Sequence, residues 1–122
     1  MGWSDANAGY EGDTSIDIAA IPDEEIQKII NINIMGYLYT LKYAVPAFRA
    51  RGGGAIAFTS SVGAIVPRHM ALADEAGGGM IKKIIPYGTT KAANDYIARL
   101  ACAFTGACGY GSSAPDWNHV AR

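Results

Sequence analysis

Apolar residues recur with helical periodicity through the second quarter of the chain. Ile26, Ile29, Ile30, Ile34, Tyr37, Leu38, Leu41, Ala44, Val45 and Phe48 form a stripe at 3.6-residue spacing, the mark of an amphipathic helix. Its start is written in Ile21-Pro22-Asp23-Glu24-Glu25: proline suits the first turn, and the acids suit the positive end of the helix dipole. The helix is expected to run to residues 48–51, to bend at Gly36 and Pro46, and to end at Gly52-Gly53-Gly54. Asn33 falls on the apolar stripe between Ile30 and Tyr37. A buried amide without partners costs about 1–3 kcal/mol. Asn33 is therefore either a core asparagine satisfied by a local carbonyl or one that holds water or backbone in an active site.

Ala55-Ile56-Ala57-Phe58-Thr59-Ser60 is short, apolar and bounded by glycines before and serines after. That pattern predicts a buried parallel strand. Ser60 and Ser61 then stand at its carboxyl end, where open α/β sheets place their ligand crevice. The triple glycine precedes a strand rather than opening a helix, so it reads as a turn and not a phosphate cradle. Residues 62–86 read as a long connection containing Pro67, Gly77-Gly78-Gly79 and Lys82-Lys83. A second helix is predicted from Tyr87 to about Phe104, with Ala93, Ile97, Leu100, Ala101 and Phe104 as its apolar stripe. Residues 1–20 are polar and show little periodicity, and the last dozen residues show none.

A chain of 122 residues holds one domain at most. Half its residues are hydrophobic and its net charge is −1. It therefore reads as globular, with no basic face for nucleic acid and no apolar run able to span a membrane. No secretory signal follows Met1, and the two cysteines, Cys102 and Cys108, read as free thiols of a reducing compartment, which points to the cytoplasm. His69 and His119 have no partner at metal-ligand spacing and read as loop residues, so no metal is expected.

Tyr87 and Lys91 stand four residues apart at the head of the second helix, so their side chains share one face. Free tyrosine, with a pKa of about 10, is a poor base at neutral pH. A positive charge at about 4 Å, with an effective dielectric near 20, is worth roughly 4 kcal/mol and favours the phenolate. The pair thus makes a proton donor and acceptor for neutral pH. Taken alone, the same spacing also describes a surface tyrosine beside a solvated lysine.

The company of that pair carries a resemblance. A strand ending in Ser60-Ser61, a loop, and then Tyr87-x-x-x-Lys91-Ala92-Ala93 resemble the short-chain dehydrogenase/reductase family. Asn7-Ala8-Gly9 resembles the end of its Asn-Asn-Ala-Gly motif, with Ala6 in place of the first Asn. Asn31-Ile32-Asn33-Ile34-Met35-Gly36 resembles its Asn-Val-x-Gly helix motif, and Gly53 to Ser61 its Gly-x-Ile-Val-x-x-Ser-Ser strand. The match covers about residues 5–105 and leaves 106–122 as a divergent tail of a single partial domain. The resemblance implies an α/β fold, part of a Rossmann-like doubly wound parallel sheet with long helices. It implies hydride transfer between a small-molecule alcohol or carbonyl and NAD or NADP. Tyr87 would be the general acid/base. Lys91 would hold the nicotinamide ribose, Ser61 would hydrogen-bond the substrate oxygen, and Asn33 would position a water behind Lys91. Asn7, Ala8 and Gly9 would line the floor near the cofactor, and the long helices would pair between subunits in a homo-oligomer.

The sequence also departs from the family pattern. The glycine-rich Thr-Gly-x-x-x-Gly-x-Gly turn is absent, and so are the first three strands that precede Asn-Ala-Gly. Ser61 and Tyr87 are 26 positions apart, further than is usual, with the extra residues around 68–79. These read as a tolerated surface insertion rather than a substrate lid, since loop entropy grows slowly with length. After Phe104 the expected Gly-Ile-Arg-Val-Asn strand is replaced by Gly109-Tyr110-Gly111-Ser112-Ser113. Out-of-phase codons for Gly109 to Ser112 permit Ile-Arg-Val, so the tail is expected to be a frameshifted translation, which the underlying DNA tests. The competing functional readings are an inactive truncated fragment or scaffold that binds no cofactor, and an extended-branch nucleotide-sugar epimerase or dehydratase. With part of the expected sheet missing, the isolated chain is expected to fold marginally. A broad, non-cooperative thermal melt of the 122-residue chain is the expected result, and a sharp cooperative transition would contradict it.

Overall fold

The computed structural model describes residues 2–13, 16–65 and 85–105. The segment 66–84, with His69, Met70, Met80 and the glycine and lysine clusters, lies outside the described residues, as does the tail from Gly106 with Cys108 and His119. In chain order the elements are strand β1 (Gly2–Ala6), helix α1 (Asp23–Ile30), a π-helical turn (Asn31–Met35), helix α2 (Gly36–Ala50), strand β2 (Gly54–Phe58), a 3-10 turn (Val62–Ala64) and helix α3 (Ile85–Thr105). No helix among the described residues is long and apolar enough to cross a membrane.

The two strands pair in parallel, with Gly2 opposite Gly54 and Ala6 opposite Phe58. The pairing runs on into the next loop, where Thr59 N donates to Ala6 O at 3.1 Å. β2 appears where an apolar run predicted it, although its residues are half-buried or, at Ala55, exposed. β1 lies within residues 1–20, where the sequence shows little periodicity. Its alternation is genuine but reversed in size. Gly2, Ser4 and Ala6 turn inward, while Trp3, 73% exposed, and Asp5 turn outward. A search for apolar inward positions passes over such a strand.

Small residues are required on that inward face. The Phe48 ring of α2 lies across the paired glycines, and a Cβ on Gly2 would come within 2.6 Å of its Cε1. A Cβ on Gly54 would overlap the same ring. Phe48 also leads into the end of α2. Gly53 N donates to Phe48 O at 2.8 Å and Gly52 N to Arg49 O at 3.2 Å, with Gly52 at φ 77°. These are the two bonds of a Schellman ending, which favours glycine at the left-handed position. The triple glycine is thus a helix stop followed by a close-packing site, in agreement with its reading as a turn.

The predicted single helix is interrupted by the π turn. The buried residues here are Ile29, Asn33 and Tyr37, recurring every four positions. In a regular α-helix, steps of four drift by about 40° around the axis. The wider turn across Asn31–Met35 offsets that drift and keeps all three facing inward. Gly36, expected as a bend, is the first residue of α2, and α2 continues through Pro46. The outer parts of the predicted stripe are only partly covered among the described residues: Leu38 on α2 is 40% exposed and Leu100 on α3 is 41% exposed. Cys102, read from the sequence as a free thiol, is disulfide-bonded. Its partner lies outside the described residues, and a count of two cysteines cannot by itself separate two thiols from one bridge.

Replacing Gly54 by alanine is expected to force Phe48 off the sheet and to lower stability by about 1–3 kcal/mol. Urea or thermal midpoints of Gly54→Ala against the parent measure this, and unchanged midpoints would refute the packing.

Candidate active site

The buried set among the described residues is mostly polar. Ala6, Ile29 and Tyr37 are its apolar members, whereas Asn33, Ser60, Thr90, Lys91 and Asn94 are polar or charged. Burying such groups is costly unless they are partnered, and Ser60 Oγ and the Asn94 amide have no hydrogen-bond partner among the described residues, so this polar cluster is the candidate site. Asn33, Thr90 and Lys91 meet by the carboxyl ends of β1 and β2, next to Ser60. There Asn7-Ala8-Gly9 leaves one strand and Thr59-Ser60-Ser61 leaves the other.

Asn33 is fully buried, and its amide is used on both sides. Its Oδ1 accepts from Tyr10 N at 2.7 Å, and its Nδ2 donates to Tyr10 O at 2.9 Å. Nδ2 also donates to Thr90 Oγ1 at 2.9 Å, and that hydroxyl donates to Tyr87 O at 2.7 Å. Asn33 thus clamps main-chain atoms of the loop after β1, 23 residues away in sequence. Outside this clamp, Tyr10 OH donates to Glu25 Oε1 at 2.7 Å, and Lys28 Nζ lies 4.1 Å from the Tyr10 ring centroid. The first-turn acids of α1 therefore include one that anchors the loop.

Lys91 is 2% exposed. Its Nζ donates to Thr59 O at 3.0 Å and to Tyr37 OH at 3.3 Å. It lies 5.7 Å from the Tyr87 ring centroid, within the range of a cation on an aromatic face. Burial pulls the Lys91 amine below its ordinary pKa, opposed by the negative charge of Asp95. Tyr37, 1% exposed, donates its hydroxyl to Thr59 O at 2.8 Å. Burial, then Tyr87 and Asp5, push the Tyr37 phenol up to about 12, against the opposing effect of its bond to Thr59. The phenol thus stays protonated over the physiological range.

Gly9 passes so close that a Cβ there would stand 3.1 Å from Lys91 Nζ. The lysine head therefore packs directly against the Gly9 backbone, where a side chain would crowd it. Asn7 and Ala8 are exposed beside it, and Asn7 Oδ1 accepts from Thr59 Oγ1 at 2.7 Å. Ser61 caps the 3-10 turn, its Oγ accepting from Gly63 N at 3.3 Å. That turn packs on the head of α3, where a Cβ on Gly88 would lie 3.3 Å from Gly63 O. The structure thus gathers Asn33, Lys91, Tyr87, Gly9 and Asn7 around the strand ends and sets Ser61 on the adjoining turn. Tyr10, Thr59 and Thr90 were not singled out from the sequence. A signal for Thr90 existed: Tyr87, Thr90, Lys91 and Asn94 form a polar stripe at helical spacing on α3.

The sequence matches the short chain dehydrogenase family over residues 6–103. The chain belongs to that family. Among solved structures it is similar to ElxO with NADP bound, at 24% identity and TM-score 0.66, over 86% of this chain and 37% of that one. It is also similar to a bulky-bulky ketone specific alcohol dehydrogenase from Comamonas testosteroni, at 21% identity and TM-score 0.65, over 87% of this chain and 36% of that one. An NAD+-bound xylitol dehydrogenase aligns with TM-score 0.64 at 21% identity, over 87% and 35% of the two chains. No curated protein matches the sequence. This short chain dehydrogenase segment therefore has the α/β fold expected of it, and it spans a little over a third of the length of those structures.

Asn33→Ala removes three hydrogen bonds and opens the clamp on Tyr10. The expected loss is roughly 2–4 kcal/mol, with amide exchange at Tyr10 accelerating more than exchange in β2. Equal acceleration at both places would show that Asn33 supports the fold in general and not the loop in particular.

Proposed function

We propose that this segment carries the proton-transfer machinery of an NAD- or NADP-dependent oxidoreductase that interconverts an alcohol and a carbonyl. The observation that carries the reading is Lys91: a lysine buried at the carboxyl ends of two parallel strands, beside the Tyr87 ring and against a side-chain-free Gly9. The exposed Asn7-Ala8-Gly9 loop, with the Lys91 amine close against Gly9, suits a nicotinamide cofactor, and the ElxO and xylitol dehydrogenase structures hold NADP and NAD+. When bound, such a cofactor supplies the hydride chemistry.

Tyr87 passes the proton to or from the substrate oxygen. Lys91 supplies positive charge beside it and the hydrogen bond that holds a ribose hydroxyl. Ser61 Oγ accepts from Gly63 N, which leaves its O–H free to donate to the substrate oxygen. Asn33 acts from behind: through Thr90 it reaches the Tyr87 carbonyl, and through Tyr10 it fixes the loop of Asn7, Ala8 and Gly9. The substrate is a small-molecule alcohol or carbonyl.

Tyr87→Phe is expected to abolish turnover while leaving cofactor binding, followed by nicotinamide fluorescence, nearly intact. Surviving turnover would remove Tyr87 from the mechanism. No binding at millimolar cofactor would favour a scaffold or inactive fragment instead.

A further inference from the structure

Lysine donates three hydrogen bonds and accepts none. In this site two of the three are directed to fixed acceptors, Thr59 O at 3.0 Å and Tyr37 OH at 3.3 Å. Tyr37 OH in turn donates to Thr59 O at 2.8 Å, so carbonyl, phenol and amine form a closed triangle. The phenol has little freedom to leave it. Its ring stacks on Phe58 of β2 at 5.5 Å between centroids with 25° between planes, its residue is 1% exposed, and the amine lies 5.4 Å from its centroid. A carbonyl alone would let the ammonium swing about one bond. Two acceptors fix its rotation and leave one N–H for a ligand.

We propose that Tyr37 is a positioning residue for Lys91: its hydroxyl fixes the orientation of the amine and helps keep it protonated inside the fold. This inference rests on the reading of Lys91 as a working group of an oxidoreductase. The physical logic is that burial disfavours the charged amine, and an acceptor on the charged form restores part of what water would supply. Tyr37 suits the task because its own phenol stays neutral up to about 12, so it offers a lone pair without adding a competing titration near neutral pH. The other charged or titratable groups acting here are Asp95 on Lys91, and Tyr87 and Asp5 on Tyr37.

Tyr37→Phe keeps the ring and its stacking on Phe58 and removes only the hydroxyl. In protein labelled with 15N-lysine, and with the Lys91 signal assigned by Lys91→Arg, the Lys91 amine is expected to titrate at lower pH in Tyr37→Phe than in the parent. Tyr39→Phe, on the same helix at a half-exposed position, is expected to leave it unmoved. An unchanged Lys91 titration in folded Tyr37→Phe, or an equal shift in Tyr39→Phe, would overturn the proposal. Should Tyr37→Phe fail to fold, the parent protein still decides: nuclear Overhauser contacts between the Lys91 side chain and the Tyr37 ring are expected, and their absence overturns it. The amine titration needs no cofactor. If it shifts as expected while Tyr87→Phe retains full turnover, the positioning of Lys91 stands and the catalytic role of Tyr87 falls.

Discussion

The amide of Asn33 is the joint on which the site depends. It is fully buried, and its hydrogen bonds cross 23 residues to Tyr10 and 57 residues to Thr90. Local propensity specifies none of those contacts, because an amide in the middle of a helical stripe is unfavourable until distant partners arrive. Once they do, leaving any of them unmade costs more than the bond itself contributes. The loop after β1, the middle of the long helical segment and the head of α3 are thereby fixed relative to one another. Each of these pieces carries a residue of the candidate site.

Lys91 shows the same economy from the other direction. A buried amine is expensive, and among the described residues the structure answers the cost with a backbone carbonyl and a phenol rather than with a close carboxylate. A carboxylate at that point would neutralise the positive charge that the role proposed for Tyr87 requires. Neutral acceptors satisfy the donors and leave the charge available. The result is a polar interior in a chain whose apolar stripes remain partly uncovered, which is the reverse of what stability alone would select.

Much of the architecture was legible because it obeys simple periodicities. α3 begins within two residues of Tyr87, β2 falls on the one short apolar run, and the glycine stop after α2 lies where predicted. The spacing of Tyr87 and Lys91 and the misfit of Asn33 on an apolar stripe singled these residues out as candidates, and the structure brings them together. What escaped had no local signature. β1 turns its smallest residues inward because a phenylalanine distant in sequence occupies the space. The π turn is set by tertiary partners and not by propensity. Thr59 and Tyr10 contribute main-chain atoms, which any residue possesses and no composition reveals. The side-chain identity of Thr90 was visible, but its importance depends on Asn33, which the sequence places 57 positions away.

The widened turn at Asn31–Met35 has a bearing on how this helix can change through insertion and deletion. A substitution on the outer surface of α2 alters one contact. A π turn carries one residue more than the α turns beside it, so loss of a single residue inside it would restore an ordinary α-helix while everything beyond kept nearly the same orientation about the axis. Loss of a residue within α2 itself has no such slack: the helix beyond it would rotate by about 100°, and Phe48 would turn away from the paired glycines. The helical segment is thus tolerant in residue identity along its outer face and rigid in residue count, except at the one widened turn where a change of count can be absorbed.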